Sequence, residues 1–170
     1  SIFNNYQYIA FSVLIVVIMF EIFIIPWGNV YKRLALAIFI FYSYVVYSMT
    51  VIMRIGNSEN RRINIIPLRS LLSFRENGDT RLIWLGLLNI LMFLPLGFIG
   101  RLFICKKTQK RYTFILFLGL LLLSVSIETS QFYLNAGVFE TDDIIFNSLG
   151  GFIGILAFDI GFYVFRKNNN

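Results

Sequence analysis

Residues Thr113–Phe132 read TFILFLGLLLLSVSIETSQF, a run of mostly apolar side chains that contains one charged residue, Glu128. A helix needs about 20 residues of this kind to cross the hydrocarbon core of a membrane. Ser124, Glu128 and Gln131 are spaced by four and then three residues, so they share one face of that helix. A carboxylate at membrane depth is costly and usually faces a bundle interior, where it marks a functional site. The stretch therefore predicts a membrane-spanning helix with a polar site on its inner face.

The composition extends this membrane assignment to the whole chain. Hydrophobic residues form 58% of the 170 residues, charged residues form 14%, and the mean hydropathy is +0.74. A soluble domain of this length would need far more polar surface. Five segments are long and apolar enough to span: Tyr8–Ile25, Leu34–Met53, Leu82–Ile104, Thr113–Phe132 and Ile144–Phe165. We expect an all-α membrane protein, a bundle of five transmembrane helices that forms a single domain over residues 1–170.

The residue types that the sequence lacks restrict its chemistry. It contains no histidine, which excludes Ser-His-Asp and Cys-His catalysis and zinc sites with histidine ligands. Cys105 is the only cysteine, so no disulfide can form within the chain. Catalysis would depend on carboxylate, arginine or lysine side chains. We predict no cofactor and no metal site.

The distribution of basic residues predicts the orientation of the bundle. The connection 101–111 carries five basic residues and no acidic one, which favours the cytoplasmic side. Alternation of the spans then places the N-terminus outside, the C-terminus in the cytoplasm, and the connection between the second and third spans outside. That outer connection carries six arginines: Arg54, Arg61, Arg62, Arg69, Arg75 and Arg81.

Arginines on the outer side run against the usual charge distribution, and two explanations stay open. Guanidinium groups bind phosphate and carboxylate bidentately, which suits an anionic ligand. Alternatively, the arginines pair with acidic residues of the same loop and with lipid phosphates. The loop also contains the apolar run Ile63–Leu68, in which Pro67 prevents a continuous helix. We expect a re-entrant or interfacial segment between the second and third spans.

Polar and small residues in the third and fifth spans predict close helix packing. Asn89 needs a hydrogen-bond partner on another helix, and Pro95 frees a backbone carbonyl near Leu91. Gly150 and Gly154 have the four-residue spacing that lets a neighbouring helix approach closely. Acidic and amide residues begin the fifth span: Asp142, Asp143 and Asn147.

Four motifs, in this order, resemble the VanZ-like family. They are Arg62–Pro67 (RINIIP), Asn89–Phe98 (NILMFLPLGF), Ser126–Phe132 (SIETSQF) and Thr141–Gly154 (TDDIIFNSLGGFIG). The resemblance covers about residues 61–165. It implies a small bacterial plasma-membrane protein from a family whose founding member is linked to resistance to the glycopeptide antibiotic teicoplanin. It implies no established enzymatic reaction.

The first function hypothesis is a binding protein of the Gram-positive cell envelope that gives teicoplanin-type resistance. Its expected partners are membrane lipids and, as ligand, an anionic lipid-linked precursor or lipoglycopeptide at the outer face; no nucleic acid is expected. The expected ligand-binding residues are Arg62, Asn64, Arg69, Asn89, Glu128, Gln131, Asp142, Asp143 and Asn147.

Two other hypotheses remain open from the sequence. One is an intramembrane enzyme acting on a polyprenyl-phosphate-linked precursor, with Glu128 or Asp143 as general base and arginines holding the phosphate. In that case the carboxylates could recruit magnesium. The other is structural, with the polar residues only locking the bundle together. A transporter would require oligomerisation, because five spans without an internal repeat provide no inverted pair.

Overall fold

Helices dominate the part of the chain that the computed structural model describes, residues 30–56, 62–104 and 110–168. The elements in order are α1 (Val30–Thr50), a 3₁₀ turn (Ile52–Arg54), β1 (Ile63–Asn64), α2 (Arg69–Asn77), α3 (Thr80–Phe103), α4 (Lys110–Tyr133), β2 (Phe139–Glu140) and α5 (Thr141–Asn168). The four long helices α1, α3, α4 and α5 are each long and apolar enough to cross a membrane. The helical membrane fold is confirmed, and the first predicted span, Tyr8–Ile25, lies outside the described residues.

The surface of the bundle is apolar, as expected for a surface in contact with lipid. Trp84, Phe114, Ile160 and Phe165 are each more than 60% exposed. A soluble protein rarely leaves so many large apolar side chains on its surface. The buried core is small by comparison and includes Phe93, Leu96, Leu120, Ile127 and Ile155.

Glycines hold α3 and α5 in close contact. A Cβ atom added at Gly150 would overlap the carbonyl oxygen of Ile90, and one added at Gly154 would overlap that of Leu94. The predicted close approach is therefore confirmed, and the neighbouring helix is α3. A Cβ atom at Gly161 would meet nothing within 4 Å, so the contact does not extend along the whole of α5.

The proline in α3 is accompanied by a hydrogen bond from a neighbouring helix. The hydroxyl of Tyr42, in α1, donates to the carbonyl oxygen of Met92 at 3.2 Å. The sequence predicts a freed carbonyl near Leu91 because Pro95 cannot bond back to it. The structure places the Tyr42 donor on the carbonyl of the next residue, Met92, and not on that of Leu91.

The connection between α1 and α3 folds into short elements. Strand β1 pairs in parallel with β2, with Ile63 opposite Phe139 and Asn64 opposite Glu140. Helix α2 follows and ends at Asn77. The next residue, Gly78, caps it with a φ of 68°, which favours glycine. The apolar side chains of this connection are exposed: Ile65, Ile66, Leu71, Leu72 and Phe74. That exposure suits an interfacial segment, whereas a re-entrant path is not confirmed.

Arg101 corrects the expected limits of the basic connection. The sequence counts it with the basic connection 101–111, although it also falls within the predicted span Leu82–Ile104. The structure places it within α3, where it is 6% exposed. Its Nε atom is 2.9 Å from Oδ1 of Asp159 in α5, and its guanidinium carbon is 5.9 Å from the ring centre of Phe158. The carboxylate of Asp159 gives this largely buried arginine a partner of opposite charge.

Candidate functional site

The polar residues of the sequence motifs gather at one end of the bundle, where α1 and α4 end and α3 and α5 begin. The two connections at this end are joined by the β1–β2 pair. A further hydrogen bond runs from the backbone N–H of Phe139 to the carbonyl oxygen of Arg62, at 3.0 Å. The loop after α1 is therefore held against the loop after α4.

Glu128 lies inside the bundle and not against lipid. It is 1% exposed, and its Oε2 atom accepts a hydrogen bond from the backbone N–H of Glu140 at 3.0 Å. Asp143 and Glu140 repel its charge, while Arg54, at the end of the 3₁₀ turn, attracts it. The carboxylate thus fixes the start of α5 against the last turns of α4.

The other inner polar residues each bond to a neighbouring helix. The side chain of Asn89 is hydrogen bonded to Asp143, which joins α3 to α5. The Nδ2 atom of Asn147 donates to Ser124 Oγ at 3.0 Å and joins α5 to α4. The Nε2 atom of Gln131 donates to the carbonyl oxygen of Thr50 at 3.1 Å and joins α4 to α1. These pairings lock three helix contacts.

Asp142 holds α2 in place. Its Oδ2 atom accepts from the backbone N–H of Ser70 at 2.8 Å and from the hydroxyl of the same serine. Leu68, which precedes α2 with a left-handed φ of 57°, has no side chain that could cap the helix. A carboxylate at the first turn of a helix also interacts favourably with the helix dipole. Asp142 therefore caps α2 from a different helix.

A polar cavity of about 590 Å³ lies between β1, α2 and the start of α5. Its lining residues are Arg62, Ile63, Asn64, Arg69, Ser70, Leu82, Val138, Glu140 and Asp142. Four of the sequence-predicted site residues are thus brought together: Arg62, Asn64, Arg69 and Asp142. A volume of this size is within the usual range for small-molecule sites.

The remaining predicted residues lie outside this lining. Asn89, Glu128, Gln131, Asp143 and Asn147 do not line the cavity. Glu128, Gln131 and Asn147 are buried, and Asn89 and Asp143 are half-buried. We call these five residues the inner polar layer. Glu140 links the two groups, because its backbone binds Glu128 while the residue lines the cavity. Among the described residues, no group of three or more acidic or cysteine side chains could hold a metal ion.

Sequence reasoning missed two polar residues of the cavity lining, Ser70 and Glu140. Glu140 could have been predicted, because it is an acidic residue directly before the motif that begins at Thr141. Ser70 gave none, because a serine near the start of a helix is common and its partner Asp142 is distant in sequence.

Comparisons with known proteins agree with these motifs. The family model described as VanZ/LLP1 matches residues 8–162. The chain is 28% identical over 111 residues to Protein VanZ of Enterococcus faecium, an alignment that covers 64% of this chain and 60% of that protein. The chain thus spans about three fifths of the length of this curated relative. No solved structure matches the chain.

Proposed function

This chain belongs to the VanZ/LLP1 family, and from that premise we propose that it protects a Gram-positive bacterium against teicoplanin-type glycopeptides. It does so by binding an anionic ligand at the outer face of the plasma membrane. The ligand is a lipid-linked envelope precursor or the lipoglycopeptide itself. In this orientation the N-terminus is outside and the C-terminus is cytoplasmic.

The observation that carries this proposal is the pair of arginines in the polar cavity. Arg62 and Arg69 both line it, and both are exposed. Within the described ranges, neither has a carboxylate within 4 Å. Two guanidinium groups without an acidic partner in one cavity can hold a phosphate or carboxylate through bidentate hydrogen bonds. The cavity lies at the end of the bundle that the basic connection 101–111 does not occupy.

The enzyme hypothesis takes second place because of where the carboxylates lie. A general base must come within hydrogen-bond reach of the proton that it removes. Glu128 and Asp143 are outside the cavity lining, and each bonds to a protein partner. Their contacts support a role in holding the helices together, which is the structural hypothesis applied to the inner polar layer. Ligand binding is the hypothesis that accounts for the polar cavity.

The test is expression of the chain in a teicoplanin-susceptible Gram-positive host. The inhibitory concentration of teicoplanin should rise more than that of vancomycin, because the lipid tail of teicoplanin draws it to the membrane surface. A strain with the empty plasmid is the baseline, and immunoblotting of membranes measures abundance. No rise for teicoplanin at normal abundance would contradict the proposal, and the lipid-substrate enzyme would then take its place.

A further inference from the structure

We infer that the head group bound in the polar cavity is zwitterionic, carrying an ammonium group as well as the anionic group. The inference rests on the proposed function, because it defines the ligand class of the same cavity. It goes further in assigning a role to the two acidic residues of the lining, Glu140 and Asp142.

The charges on the cavity wall are balanced. Arg62 and Arg69 contribute two positive charges, and Glu140 and Asp142 contribute two negative ones. Across the described part of the chain, no ion pair within 4 Å joins either arginine to either acid. The opposite charges therefore line one cavity without forming direct ion pairs.

One carboxylate oxygen of Asp142 accepts no hydrogen bond from the protein. It is 2% exposed, and both Ser70 donors bind the same oxygen, Oδ2. The other oxygen, Oδ1, is buried and has no hydrogen-bond partner. A buried carboxylate oxygen without a donor is costly, and an ammonium group in the cavity would reduce that cost by its charge.

Glu140 adds to this negative region. Its backbone is fixed by the hydrogen bond to Glu128 and by the β1–β2 pairing, so the residue is held at the cavity wall. A ligand that carried only negative charge would be attracted by the arginines but repelled by Glu140 and Asp142. Repulsion is screened less in a partly buried cavity than in open water. A ligand with both charges is attracted on both sides.

The ligand is a membrane amphiphile, as judged from the surroundings of the cavity. The neighbouring side chains of Ile65, Ile66 and Leu68 are exposed and apolar, which suits contact with acyl chains. The cavity volume of about 590 Å³ accommodates a head group of phosphate and ethanolamine size.

Calorimetric titration of the purified full-length chain in detergent tests this inference. The probes are dihexanoyl-phosphatidylethanolamine, dihexanoyl-phosphatidic acid and chain-free phosphoethanolamine. We expect the ethanolamine lipid to bind about tenfold more tightly than phosphatidic acid, because its ammonium group is attracted by the negative charges of Glu140 and Asp142. Asp142→Asn should remove most of that difference, because asparagine carries no charge. Its side-chain oxygen can still accept from Ser70, so α2 should remain in place.

Asp79→Asn is the matched control for charge removal. Asp79 caps α3 outside the cavity lining, and asparagine caps a helix about as well, so the lipid preference should be unchanged. Equal binding of the two lipids, with Arg69→Gln weakening both, would overturn the inference and leave the anionic site of the proposed function standing. Absence of binding by all three probes would overturn both. Phosphoethanolamine binding as tightly as the ethanolamine lipid would support a zwitterion site and assign its ligand to the soluble phase.

Discussion

At the scale of single residues, Glu128 is a catalytic candidate from the sequence whose contact in the structure is with the backbone of Glu140. The sequence marks it as a site residue because an isolated carboxylate in an apolar span needs a reason. In the structure it accepts the backbone N–H of Glu140 and lies outside the polar cavity. Its contribution to function then depends on holding Glu140, which does line the cavity.

Substitution of Glu128 separates a hydrogen-bond role from a catalytic one. Glu128→Gln retains an acceptor for Glu140, so protection against teicoplanin and thermal stability should both persist. Glu128→Ala leaves the half-buried N–H of Glu140 without its acceptor, which should cost about 1 kcal/mol of unfolding free energy. Thermal unfolding in detergent, followed by tryptophan fluorescence, measures the stability. Loss of protection in a stable Glu128→Gln variant would favour the enzyme hypothesis instead.

At the scale of elements, the α3–α5 contact sets the geometry of the site. The glycines of α5 let the carbonyl groups of Ile90 and Leu94 approach the helix axis. This contact fixes the rotation of α5, and with it the direction in which Asp142, Asp143 and Asn147 point. Asn89 can reach Asp143 only because the two helices are this close.

A methyl group at the contact should therefore destabilise the protein. Gly154→Ala should lower the unfolding free energy by about 1–3 kcal/mol, because the new Cβ atom overlaps the carbonyl oxygen of Leu94. Gly161→Ala, on the same helix but with nothing within 4 Å of its Cβ atom, should leave stability unchanged or slightly higher. Comparing the unfolding temperatures of the two variants in one detergent checks this. Equal temperatures would show that α3 and α5 pack differently.

The long helices could be predicted from the sequence, and the short elements could not. An apolar run of about 20 residues can satisfy its backbone in lipid only as a helix, so α1, α3, α4 and α5 follow from hydropathy. Strand β1 pairs with β2, which is distant in sequence, and no local pattern indicates that pairing. For the site, the motifs indicated four of the residues that line the polar cavity. They did not separate the cavity lining from the inner polar layer, because that depends on helix rotation.

At the scale of the whole molecule, the orientation in the membrane decides which compartment the cavity faces. The basic connection 101–111 predicts that the opposite end of the bundle, with α2 and the cavity, is outside. Arg101 does not belong to that count, because it lies within α3 and pairs with Asp159 of α5. Four basic residues remain in the connection: Lys106, Lys107, Lys110 and Arg111.

Cysteine labelling of intact cells tests this orientation. In a Cys105→Ala background, Asn77→Cys should react with a membrane-impermeant maleimide, because Asn77 is exposed at the end of α2. Lys107→Cys should react only after the cells are permeabilised. The opposite pattern would place the cavity in the cytoplasm, and the proposal of action at the outer face would fail.

The central claim, that protection depends on ligand binding in the polar cavity, is tested most directly by a matched pair of arginine variants. Arg69 and Arg75 are both exposed residues of α2, but only Arg69 lines the cavity. Loss of one charge-assisted contact weakens binding about tenfold or more. Arg69→Gln should therefore lower the teicoplanin inhibitory concentration to near the empty-plasmid value, while Arg75→Gln should protect as well as the wild type at equal abundance. Equal protection by both variants would contradict the account.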